Sequence, residues 1–240
     1  MRNKLITACL AVAAFAAFAA LPSGASAAPC VTDPSGTCLA TGNKITVTQH
    51  SDSVLTTPVG TVTCTVVSAT GTLQVNDHTA GIRATISSAS FEGTGLNKRC
   101  TSSINDGFGG KVQVQVTSKP PYCLFSTAND TAEIWDGDCP GKTTGAKFVF
   151  DVFTQGGTFL QECEYERQTA GGAAAPLSAT YNTNISPATA EWETAANGHV
   201  DQLFNRIKGS ALICPASGTL TGSTTVFTDA ANEPGVSITA

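Results

Sequence analysis

The chain has 240 residues, with 13 basic and 18 acidic side chains. Its densest basic stretch is Lys98-Arg99, so the basic footprint of a nucleic-acid binder is missing. Without Arg2 and Lys4 the remainder holds 11 basic residues against 18 acidic, a net of −7, which also disfavours anionic lipid.

Residues 1–27 read as a signal peptide. Arg2 and Lys4 give a basic start, Leu5 to Leu21 is apolar, and Pro22-Ser23-Gly24 breaks the helix. Ala25-Ser26-Ala27 supplies small residues for cleavage after Ala27. The apolar run is short for a membrane span of about 20 residues, and small-residue cleavage signals follow it. The expectation is an exported, secreted protein with no membrane attachment after cleavage. Residues 28–42 form an N-terminal arm with a small disulfide loop. Residues 43–240 form a β-rich domain, either single or split into two subdomains near 140–146.

Setting Cys9 aside leaves eight cysteines, an even number that suits disulfides in an oxidising compartment. The closest pair, Cys30 and Cys38, brackets the turn sequence Asp33-Pro34-Ser35-Gly36, not the tight spacing of a zinc knuckle. Of the many possible pairings we expect the sequential one: Cys30–Cys38, Cys64–Cys100, Cys123–Cys139 and Cys163–Cys214.

Period-two alternation recurs along the chain. Val62, Cys64 and Val66 alternate with threonines, Ile82, Ala84 and Ile86 repeat the pattern, and Val112, Val114 and Val116 alternate with Gln113, Gln115 and Thr117. That is the mark of strands with one dry face and one wet face. Further strands are expected at 44–49, 72–75, 133–135, 147–153, 158–167, 177–182, 222–227 and 235–239. The nearly all-apolar run 147–153 suggests a strand covered on both sides. The fold class is all-β, an antiparallel sandwich or barrel stapled by disulfides. Around Asn197-Gly198 two readings compete. One is a helix over 188–197; the favoured one is a hairpin that sets Trp192 opposite Leu203.

The segment from Gly209 through Cys214-Pro215-Ala216-Ser217-Gly218 to Gly222, with Thr225–Thr228, Gly235–Ile238 and the upstream Val62-Thr63-Cys64, resembles secreted β-rich proteins of actinobacteria. The resemblance implies an exported β fold and carries no site residues.

Candidate chemistry is sparse. Gln161-Glu162-Cys163-Glu164-Tyr165-Glu166-Arg167 places glutamates at every second position. On a strand they share one face, with Phe159, Cys163 and Tyr165 on the other. Alternate residues lie roughly 6.5–7 Å apart, which overlaps glycosidase carboxyl spacings. Glu162 and Glu164 are therefore the minority catalytic candidates, against the simpler reading of a solvated acidic face. Trp135 and Trp192 have acidic neighbours and are the candidates for a sugar platform. The acids from Asp130 to Asp138 lack a full calcium loop. His50, His78 and His199 are scattered, and no metal is assigned. No nucleophile elbow, phosphate loop or dinucleotide fingerprint occurs, so no cofactor is expected. The expectation is a non-catalytic extracellular protein of binding or surface-interaction type. Its partner would be extracellular or a cell-envelope glycan. A secreted glycan hydrolase or a purely structural envelope protein are the alternatives.

Overall fold

A computed structural model describes residues 27–49, 52–117, 120–128, 131–139, 144–169, 171–181, 189–192, 202–221, 224–229 and 236–239. Nearly all of the expected signal peptide, together with His50, His199 and Asn197-Gly198, lies outside the described residues. In chain order the strands are β1 (Cys30–Thr32), β2 (Lys44–Gln49), β3 (Ser53–Thr57), β4 (Gly60–Cys64), β5 (Val66–Asp77), β6 (Gly81–Glu92), β7 (Cys100–Asn105), β8 (Lys111–Val116) and β9 (Tyr122–Ala128). They continue as β10 (Thr131–Asp136), β11 (Lys147–Phe153), β12 (Phe159–Arg167), β13 (Leu177–Tyr181), β14 (Thr189–Trp192), β15 (Gln202–Lys208), β16 (Ser217–Thr221), β17 (Thr224–Asp229) and β18 (Ser237–Thr239).

The chain is all-β and antiparallel, and its strands close into two rings of eight. The first ring runs β2-β5-β6-β9-β10-β13-β14-β17 and returns to β2. The second runs β3-β4-β7-β8-β11-β12-β15-β16 and returns to β3. Each is an up-and-down meander in sequence order. After every hairpin the chain crosses into the other ring: β4 passes to β5 through Thr65 alone, and β8 passes to β9 through a segment ending in Pro120-Pro121. Proline has no N–H for a ladder, so pairing breaks there. The molecule is thus one two-storey barrel with a waist. A subdomain boundary at 140–146 would cut both rings, because strands on either side of it build each.

Alternation decides which side chains fill the barrel. In β8, Val112, Val114 and Val116 are buried while Lys111 and Gln115 are exposed. An eight-stranded ring has an interior just wide enough for side chains or one small ligand. Ile45, Val47, Leu73, Ile82, Ala84 and Leu124 fill much of the first ring. Val62, Val114, Val152, Tyr165 and Phe204 are among those filling the second. No residue of β11 is exposed: Val149 and Val152 are buried and the other five are half-buried.

A two-stranded ribbon of β1 and β18 caps the first ring, with Val31, Val236 and Ile238 in its core. Buried Asn76 holds the cap. Its Oδ1 accepts from Val31 N at 2.8 Å, and its Nδ2 donates to Val31 O at 2.8 Å and Leu39 O at 2.9 Å. This satisfies the buried Val31 amide, and the Val31 carbonyl also accepts from Leu39 N at 2.9 Å.

Four disulfides join Cys30–Cys38, Cys64–Cys100, Cys123–Cys139 and Cys163–Cys214, each cysteine with its next neighbour in sequence. They point to an oxidising, extracellular environment. Among the described residues no helix is long and apolar enough to cross a membrane.

Two local expectations are corrected. Thr189–Trp192 is a strand, which removes the helix there. The hairpin fails as well: Trp192 sits opposite Ala179 and Leu203 opposite Thr219, in different rings. Phe159 is 54% exposed instead of inward. A register shift between Val152 and Phe153 turns the start of β12, and Phe159 packs edge-on against Phe153 outside the barrel.

Candidate functional site

The inward side chains do not meet at the waist. They leave a cavity of about 120 Å³ between the two rings. Val47, Ala69 and Ala89 approach from the first ring, and Leu55, Phe148 and Phe204 from the second. Ala69 and Ala89 face each other across β5 and β6, so two small residues coincide at the cavity wall. Phe148 packs edge-on against Phe91 and Phe204, at centroid distances of 5.8 and 5.4 Å, and makes one wall.

The described lining holds no carboxylate, imidazole or ammonium. Its polar groups are the Ser53 hydroxyl and the Tyr122 phenol, which donates to Lys147 O at 3.4 Å. Such a chamber can hold an apolar molecule by dispersion and desolvation, and it has no group suited to moving a proton near neutrality. A cavity of this size left empty costs about 3 kcal/mol, at roughly 24 cal/mol per Å³. Against a total stability of about 5–15 kcal/mol that is a large concession, and an occupant would recover it.

The acidic strand lies elsewhere. Cys163 and Tyr165 of β12 point into the second ring, while Glu162, Glu164 and Glu166 are half-buried on the outer face. Glu162 accepts from Lys208 Nζ at 2.6 Å, and this hydrogen bond pushes the Lys208 ammonium pKa up. Asp151 stands opposite Glu162 on β11, so a second acid does come alongside on the outer wall. Burial pushes the Tyr165 phenol up to about 12, and its hydroxyl donates to Pro215 O at 2.8 Å. Neither Glu162 nor Glu164 lines the chamber.

Trp135 is half-buried on β10 opposite Cys123, and its indole N–H donates to Glu133 Oε2 at 3.0 Å. The side chain of Trp192 lies outside the described residues. Asp130 is likewise outside them, and Thr131–Asp136 runs as a strand, which spreads its oxygens along an extended backbone in place of wrapping them round a cation. Burial raises the carboxyl pKa of Asp136, with Glu164 and Glu166 adding to the rise and Lys147 opposing it.

Sequence reasoning missed the chamber. Its one trace is the facing pair Ala69 and Ala89, and alanines such as Ala84, Ala132 and Ala179 in the packed core of the first ring keep that trace from being distinctive. Comparison with protein families, curated proteins and solved structures finds no match to this chain.

Proposed function

We propose that this is a secreted binding protein that carries a small apolar molecule, or the apolar end of a larger one, in the waist of its barrel. The apolar chamber between the rings carries the reading. An engineered apolar cavity of about 150 Å³ stays dry and binds benzene, so this smaller one suits a group of about six carbons or fewer. The wall polarity supports an aqueous setting: valines point in while threonines and glutamines point out, the reverse of a membrane barrel. The outward glutamates then serve as a solvated face that keeps the barrel dispersed.

The test is displacement of an environment-sensitive apolar dye from the protein lacking residues 1–27. Ala69→Leu with Ala89→Leu fills the chamber from two facing positions and should abolish dye binding while unfolding still occurs in one transition. Dye binding that survives the filled waist would overturn the proposal.

A further inference from the structure

Beside the cap, Cys30, Cys38 and His78 converge, with all three ligand atoms within 4.8 Å of one another. Cys30 is fully buried, Cys38 half-buried and His78 exposed, so solvent reaches the group from one side. The imidazole is oriented. Its Nδ1 lies 2.9 Å from Ala28 O. A carbonyl oxygen only accepts, so in the neutral ring Nδ1 carries the hydrogen and the Nε2 lone pair is left free. Nε2 points at Cys30 Sγ, 3.4 Å away. A backbone carbonyl fixing one ring nitrogen while the other faces a ligand position is the usual supporting arrangement of a metal-bound histidine.

The spacing agrees. With Zn–S near 2.3 Å and Zn–N near 2.0–2.1 Å, tetrahedral geometry sets sulfur and nitrogen about 3.6 Å apart. Cys30 and His78 are already there. Only Cys38 must back away, to a sulfur–sulfur separation of about 3.8 Å. It follows the Asp33–Thr37 turn, at the surface, where the Asp33 carboxylate holds the Ser35 and Thr37 amides. A closed disulfide makes no demand on the Nε2 lone pair, and a cation does.

We infer that the dithiol form of this corner is a Cys30/Cys38/His78 site for zinc, with the fourth position open to water. Two external thiols reduce the bridge: they leave as one disulfide, and two electrons and two protons pass to Cys30 and Cys38. Zinc then binds both sulfurs and Nε2, and the two thiol protons go to solvent. Either linkage, sulfur–sulfur or sulfur–zinc–sulfur, ties β1 to the turn that follows it. The site is independent of the waist chamber.

The experiment treats the folded protein with limited thiol, adds zinc or cobalt, and maps alkylation at each cysteine by mass spectrometry. One equivalent of metal should bind and protect Cys30 and Cys38, and cobalt should show thiolate charge-transfer absorption. His78→Ala should weaken binding at least about tenfold, and Cys30→Ser with Cys38→Ser should abolish it. Reading each cysteine separately keeps the result clear even if another bridge opens. Failure of Cys30 and Cys38 to be protected, or equal binding by His78→Ala, would sink the inference.

Discussion

The two rings share strand count and meander order, yet they are closed by different means. The first ring is stoppered by the chain ends. Its cap depends on the β1–β18 ribbon, one small disulfide loop and three hydrogen bonds from Asn76. The second ring is braced from within: Cys64, Cys100, Cys163 and Cys214 all lie in its core. A cap held by hydrogen bonds can lift without breaking a covalent bond, whereas a ring cross-linked through its core cannot open so cheaply.

The largest expected effect comes from the brace. Cys64–Cys100 closes a separation of 36 residues and Cys30–Cys38 one of 8. Loop entropy then assigns about 4 kcal/mol to the former and about 2.5 kcal/mol to the latter. Replacing Cys64 and Cys100 with alanine should lower the urea-unfolding free energy by the larger amount. The loss should still appear as one transition, because the chain crosses between the rings after every hairpin. Two separated transitions would show that the rings are independent units and would break the comparison.

The cap comes next. Asn76→Ala leaves the buried Val31 amide without its Asn76 partner, while the Val31 carbonyl keeps the Leu39 amide at 2.9 Å, at a cost of roughly 1–3 kcal/mol. Hydrogen exchange should quicken at Val31 and along β18, with Val112 to Val116 in the second ring unchanged. Equal quickening in both rings would mean that the cap is not a local closure.

Much of this architecture was legible because it is local. Alternation placed Val112, Val114 and Val116 inside the barrel and gave β12 its wet and dry faces from Cys163 onward. Phe159 escaped because a bulge resets the phase of alternation, and no residue at 158–160 announces it. The choice between sandwich and barrel could not be made locally, since closure depends on β2 and β3 meeting β17 and β16 from the far end of the chain. The expected hairpin at Asn197-Gly198 failed for a related reason. A good turn dipeptide says the chain can reverse, and it does not say that β14 and β15 belong to different storeys. The chamber was hidden because its volume depends on how far inward side chains fall short of one another, which composition does not encode.

The smallest effect sits at the waist itself, on the outside, where the storeys meet. Asp136 ends β10, and burial raises its carboxyl above the ordinary 3.8, with Glu164 and Glu166 adding to the rise. A raised acid binds its proton more tightly folded than unfolded. It therefore favours the fold fully below 3.8, and that advantage is lost as pH rises through the elevated folded value. At neutral pH the charged carboxylate is a mild burden on the junction, partly relieved by Lys147. Asp136→Asn removes both the burden and the titration. Urea midpoints for the native protein should fall as pH rises through the acid range just above 3.8 relative to those of Asp136→Asn, and the variant should be modestly the more stable of the two at pH 7. A midpoint difference that does not change with pH would mean that the junction between the rings does not sense this charge.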